Sequence, residues 1–186
     1  MVKKFIIPAG DLHKLLICDA EVGRLHWLER TPDMFLDGFQ TAEHRMSAWN
    51  SKYAYKEALC STSTCGYRVG AIWGRQYKAH RVIWAMARGY WPNQIDHINH
   101  NRSDNRIVNL RSVTQQENGR NQSLASDNTS GRVGVRWFKA AKKWRAQIVV
   151  DGEGKWLGDF DDIKEAISAR KEAEKKYGFH NNHGMA

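Results

Sequence analysis

Hydrophobic positions along this chain fall in short clusters, many of them alternating, separated by polar and turn-forming residues. Leu15-Leu16-Ile17-Cys18 and Arg24-Leu25-His26-Trp27-Leu28 flank Asp19-Ala20-Glu21-Val22-Gly23, which predicts a hairpin. Residues 31–66 are mixed and mostly polar and end in Ser61-Thr62-Ser63-Thr64-Cys65-Gly66, read as a loop. A second hairpin is predicted where Tyr67–Ile72 and Arg75–Ala79 flank Trp73-Gly74 at two-residue spacing. From His80 to Arg88 the apolar Val82, Ile83, Trp84, Met86 and Ala87 predict a mostly buried helix, ended by Gly89 and followed by Pro92. Residues 122–130 are small and polar and read as a linker. Beyond them Arg132–Phe138 alternates, setting Val133, Val135 and Trp137 on one face and Gly134, Arg136 and Phe138 on the other. Trp144–Val149 and Lys155–Gly158 continue as strands around the Asp151-Gly152 turn. Ile163, Ala166, Ile167, Ala173 and Tyr177 then mark a helix, with Asp162 and Glu165 as its capping box.

The chain has 186 residues, 41% hydrophobic and 11% aromatic with eight tryptophans, a core-forming and not a disordered composition. No apolar run approaches the roughly 20 residues of a bilayer span. The first residues lack a secretory apolar region, so export is not expected. Cys18, Cys60 and Cys65 form neither zinc-type pairs nor an even disulfide set, which fits a reducing, cytoplasmic compartment. Charge narrows the partner: 29 Lys and Arg against 20 acids give +9, which favours polyanions. Residues 129–158 alone hold seven basic against two acidic side chains, predicting a strongly positive face there.

Between Ile95 and Arg111 the sequence packs Asp, His, Asn and Arg more densely than a plain loop requires. The strings Ala79-His80-Arg81-Val82-Ile83-Trp84, Ile95-Asp96-His97-Ile98-Asn99, Asp104–Arg111 and Glu117-Asn118, in that order, resemble the HNH endonucleases of phages and mobile introns. The resemblance covers about residues 67–121, and more loosely Trp27–Arg30 and Trp49–Ala54. It implies a ββα-metal fold: a strand ending at His97, a long loop, a strand near Leu110–Val113 and a helix near residues 115–121. Phosphodiester hydrolysis needs a base for water and a cation for charge growing on the phosphate. His97 is the candidate base. Asp96, on the opposite side of the strand end, offers a hard oxygen to Mg²⁺ or Mn²⁺. By the family pattern Asn118 is the second metal ligand, and Asn109 bonds the loop backbone and orients His97.

Other residues of this stretch keep two readings. His80 braces the core or supports the active site. His100 stands where relatives usually carry a small residue, commonly Gly, and is a tolerated loop residue or a phosphate contact. Arg102, Arg106 and Arg111 form a solvated face or reach DNA phosphates.

Residues 130–178 resemble the DNA-binding domain of plant ethylene-response factors, through Gly134-Val135-Arg136, Trp144, Ala146-Gln147-Ile148, Trp156–Phe160 and Glu165-Ala166. In that family a three-stranded sheet lies in the major groove, so Gly134, Arg136, Trp144, Arg145, Gln147 and Trp156 carry over as DNA contacts. Val133, Gln147 and Val149 depart from the pattern, so the plant target sequence does not transfer.

The expected fold class is α+β. Residues 1–66 form a β-rich region of unknown role, 67–121 the HNH domain, 122–130 the linker, 131–178 the DNA-binding domain and 179–186 a flexible tail. The implied function is a metal-dependent DNA endonuclease of homing type, a monomer acting on double-stranded DNA and not on membranes. The competing class is a DNA-binding regulator with an inactive nuclease centre, and RNA binding is a third.

Overall fold

The computed structural model describes residues 6–36, 38–114, 124, 127–179 and 183. The fold is α+β, built from small antiparallel sheets and helices that gather into two compact units, residues 1–112 and 113–186.

In the first unit a short helix α1 (Ala9–Leu12) precedes the hairpin β1 (Leu16–Asp19) and β2 (Arg24–Trp27). Leu16 pairs with Trp27 and Asp19 with Arg24. Helix α2 (Ala42–Tyr53) follows, capped by the Thr41 side chain, which accepts from His44 N. The polar stretch 31–66 hid this helix because α2 buries no residue fully and so shows no apolar stripe. Next, β3 (Glu57–Ala58) joins β2, and β4 (Ser61–Thr62), read as loop from its polarity, joins the hairpin β5 (Arg68–Ile72) and β6 (Arg75–Lys78). Trp73 and Gly74, with φ of 52° and 72°, make the two-residue turn.

Helix α3 (Ala79–Arg88) is the centre of the unit, because Val82, Ile83 and Ala85 are fully enclosed and Gly89 ends it in the left-handed conformation. Its core continues into Ile7, Leu12, Leu16, Leu25, Ala58 and Leu59 on one side and Leu110 on the other. The boundary expected at residue 66 therefore does not divide the core. Residues 1–66 and the HNH segment fold as one body, since neither has apolar residues enough to enclose α3 alone. The pair β7 (Gln94–His97) and β8 (Leu110–Val113) carries the motif residues.

In the second unit β9 (Val135–Phe138), β10 (Lys143–Val150) and β11 (Glu153–Phe160) form a sheet in the order β11-β10-β9. Helix α4 (Ile163–Lys176), capped by Asp162 accepting from Lys164 N, covers one face through Ala166, Ile167 and Ala173. Two expectations fail here. The end of the supposed linker is built into the unit: Ser130 is buried, and its Oγ donates to the carbonyl of Val135 at 2.7 Å. His183, within the supposed tail, is also built in. His183 is buried, with Nε2 3.1 Å from Arg170 Nη2, because the enclosed Arg170 and Glu174 pair needs further polar partners.

Candidate active site and nucleic-acid face

Asp96 and His97 are consecutive residues at the end of β7, so their side chains leave the strand on opposite sides, and both are buried. His97 Nε2 lies 3.2 Å from Asn105 Oδ1; with the ring proton on Nε2 it donates to that oxygen, and Nδ1 is left as the proton acceptor. Burial lowers the pKa of His97, against the raising effects of its Asn105 hydrogen bond and of Asp96 and Asp104. The ring is therefore neutral at neutral pH, the state a base requires.

The loop between the two strands is closed by side-chain amides. Asn109 Oδ1 accepts from Asn99 N at 3.0 Å, while Asn109 Nδ2 donates to Asn99 Oδ1 and to the carbonyl of Asp104 at 2.9 and 2.8 Å. Ile98 N donates to the Asn109 carbonyl at 2.9 Å. Asn99 Nδ2 reaches Asp104 Oδ2 at 2.8 Å, and Arg106 grips the same carboxylate with two bonds of 2.8 and 2.7 Å. That fork holds the Asp104 carboxyl down at about 2. At the loop tip His100 has φ of 62°, a conformation glycine adopts without strain.

The structure gathers further groups around His97. His80, at the start of α3, is buried with its ring centroid 4.8 Å from that of His97, and burial above all pushes its pKa down to about 3. Tyr67 lies 5.1 Å from His80 and 5.9 Å from His97. Sequence reasoning missed Tyr67 and Asn105 as site residues. Asn105 belongs to the Asp104–Arg111 string, yet only its near-total burial distinguishes it from the neighbouring loop asparagines.

The three candidate arginines are engaged within the protein. Arg111 Nε and Nη2 donate to Asp96 Oδ2 at 2.9 and 2.6 Å. Arg106 holds Asp104, and Arg102 Nη1 donates to the Cys65 carbonyl at 3.0 Å with its guanidinium 5.3 Å from the Tyr67 ring. For a divalent ion the described residues of the β7–β8 motif supply one buried carboxylate, Asp96, already satisfied by a cationic group. A hard cation suits that oxygen, and Mg²⁺ is commonly held by one or two carboxylates with water and phosphate completing the shell. Among the described residues no cluster of three or more His, Cys, Asp or Glu side chains could hold a metal. Asn118 and the expected helix at 115–121 lie outside the described residues.

On the C-terminal sheet, strand register sorts the expected DNA contacts. Arg145 pairs with Arg136 on one side and Asp159 on the other, and Gln147 with Trp156 across a bulge, so these residues share the face opposite α4. Arg145 lies 3.7 Å from the Phe138 ring and forks onto Asp159 with two bonds of 2.7 Å. Trp156 is 67% exposed, far more than a core tryptophan. Trp144 does not belong to this set. It pairs with Trp137 and packs with Ala146, Leu157 and Phe160 against the helix side, because alternation places it opposite Arg145. Gly134, at φ 78°, has no room for a side chain: an added Cβ would lie 2.3 Å from the Gln147 carbonyl and 3.2 Å from the Arg170 guanidinium.

Comparison with known proteins matches the HNH endonuclease family model to residues 77–120, which contain β7, the loop and β8. Protein 3.8 of Escherichia phage T7 is 35% identical over 82 residues, covering 41% of this chain and 68% of that protein. A solved structure of the HNH homing endonuclease I-HmuI, described as binding and cleaving DNA, is similar with a TM-score of 0.36 and 20% identity. The similarity covers 55% of this chain and 48% of that one, about half of its length.

Proposed function

We propose that this chain, which belongs to the family of phage T7 protein 3.8 and carries an HNH endonuclease domain, hydrolyses phosphodiester bonds of double-stranded DNA in the manner of a homing endonuclease. The observation that carries the reading is His97: neutral, fixed through Nε2 by Asn105, and set at the mouth of a loop that Asn109 closes. Its Nδ1 takes the proton from the attacking water, and the imidazolium so formed is eased by nearby Asp96 and Asp104. Asp96 and Asn118 would hold Mg²⁺ or Mn²⁺, and the ion would supply charge stabilisation at the phosphate and the departing 3′ oxygen. His80 and Tyr67 brace the His97 ring and exclude water from its rear.

Arg136, Arg145, Gln147 and Trp156 are the proposed anchor on DNA, a cationic face with one exposed indole. The grip of Arg111 on Asp96 favours a second reading, a DNA-binding regulator whose centre does not take a metal. Plasmid nicking with Mg²⁺ or Mn²⁺, with and without EDTA, separates the two. The nuclease reading expects metal-dependent cuts that His97→Ala reduces by about 10²–10⁴-fold, with DNA affinity within a few-fold. A folded wild-type chain that binds DNA and leaves it uncut under all these conditions supports the regulator instead. Asp96→Ala and Asn118→Ala should raise the metal concentration needed for half-maximal cutting, and unchanged metal titrations would remove both as ligands.

A further inference from the structure

The first unit carries a cavity of about 800 Å³, open to solvent, that the cleavage chemistry does not use. Trp27, Arg30, Phe35, Trp49, Tyr53 and Trp73 are among the residues that line it. The Arg30 guanidinium stands 3.8 Å from the ring centroid of Trp49 and 4.3 Å from that of Trp73. Its backbone is clamped to α2 by Asn50, which accepts from Arg30 N at 2.9 Å and donates to Arg30 O at 3.0 Å. Among the described residues the guanidinium forms no ion pair, and its buried Nε has no hydrogen-bond partner. A cation held on aromatic faces and not on a carboxylate keeps its charge available to an incoming anion.

Trp73 gives the second indication. It occupies the first central position of the β5–β6 turn at φ 52°, where two-residue turns select Asn, Asp or Gly and a bulky side chain is disfavoured. The ring is 45% exposed, so core packing does not explain the choice. A bulky residue at a turn position that disfavours it, with the Arg30 guanidinium and not the core against its ring, points to a functional site.

We propose that this cavity is a nucleotide subsite, which takes one unstacked base against Trp73 with that nucleotide's phosphate on Arg30. Its volume lies within the roughly 300–1,000 Å³ of ligand pockets. Aromatic faces stack on any base, and the chain's net charge of +9 draws in the phosphate. Bases of an intact duplex keep their faces covered, so the occupant is an extruded or single-stranded base. The identity of the polymer as DNA rests on the nuclease reading. Tyr67 packs beside His97 and leads into β5, and Trp73 stands in the turn directly after β5, six residues on, a run of roughly 20 Å. The subsite thus engages DNA some six nucleotides from the cut, at about 3.4 Å per step along one strand.

The test uses the full chain in EDTA, titrated with a single-stranded oligonucleotide carrying one 2-aminopurine and with the same sequence as a duplex. Trp73→Asn and Trp73→Gly both suit the turn, so circular dichroism and melting should show them folded. The expected result is quenching of 2-aminopurine by the wild type, and single-strand binding roughly 5- to 100-fold weaker in both variants. The loss on duplex should be smaller. Equal single-strand affinity in the wild type and the folded variants overturns the subsite. Competition by a deoxynucleoside monophosphate at the oligonucleotide's own concentration overturns its assignment to DNA in favour of free nucleotides. Nicking by the wild type keeps the two readings apart: cutting with no effect of Trp73 on binding sinks the subsite alone. Trp73-dependent quenching by a chain that never cuts supports the subsite and sinks the nuclease.

Discussion

At the scale of single residues, the proposed centre depends on two buried imidazoles remaining uncharged. An unfolded histidine titrates near 6.5, whereas His80 in the fold titrates at about 3. Between those values the unfolded chain binds more protons, so stability is full above about pH 6.5 and falls as the pH drops toward 3. Urea melts from pH 7.5 to 4 should show that decline, and His80→Phe should flatten it, since Phe fills the space without a titrating group. A slope unchanged by the substitution would mean His80 is hydrated and charged in the fold. Asn105→Ala should cut the turnover rate by about 10–100-fold with little change in DNA affinity, because His97 loses the acceptor that sets its tautomer and angle. Single-turnover rates beside equilibrium binding would check this, and equal losses in both would make Asn105 a folding residue only. The sequence spacing singled out Asp96, His97 and Asn109, which the fold places on the β7–β8 pair and its loop. Asn105 was not singled out, because which loop asparagine turns inward depends on the tertiary contact with the N-terminal hairpin.

At the scale of elements, that hairpin gives residues 1–66 a task that composition could not reveal. Its turn glycine, Gly23, sits at φ 77° with the backbone of Asn105 and Arg106 so near that an added Cβ would lie 2.5 Å from Arg106 N. Ile107 N also donates to the Ala20 carbonyl at 2.8 Å. The loop between β7 and β8 is thus moulded on the β1–β2 turn. Gly23→Ala should therefore lower stability by about 1–3 kcal/mol and slow cutting more than it weakens DNA binding, measured by melting and nicking together. Preserved stability and rate would show that the turn does not support the loop. On the C-terminal sheet the alternation of side chains was legible from sequence. The assignment of Trp144 to DNA came from resemblance, and strand parity places it on the helix side instead. Trp144→Ala should accordingly destabilise the unit by about 3–5 kcal/mol, as removal of a packed indole does, whereas Arg136→Ala should leave melting unchanged and weaken DNA binding. The opposite pattern would restore Trp144 to the contact surface. Helix α2 was illegible because its stability comes from a Thr41 cap and the partly buried Trp49, not from a continuous apolar face.

At the scale of the whole molecule, the cutting and anchoring proposed above fall to units that each close their own core. The first encloses α3 between the N-terminal hairpin and Leu110, and the second covers β9, β10 and β11 with α4. The seven-to-two excess of basic residues over 129–158 belongs to the second unit, and its open face presents Arg136 beside the Arg145–Asp159 pair. Ion pairing with phosphate releases counterions, so each phosphate neutralised adds about 0.9 to the slope of log affinity against log salt. Truncation after Ser123 removes that face while retaining Asp96, His97, Asn109 and Asn118. The shortened chain should nick DNA weakly and with less sequence preference, and its salt slope should be shallower by about 0.9 for every phosphate it no longer neutralises. Arg136→Ala in the full chain should move the same way by a smaller step. Binding isotherms across a salt series, with melting curves to show that the truncated chain folds, measure both. A folded truncation that binds its preferred site as tightly as the full chain at every salt concentration would take the anchor away from the C-terminal sheet. Recognition would then fall to the first unit, where the cavity at Trp73 is the next surface to test.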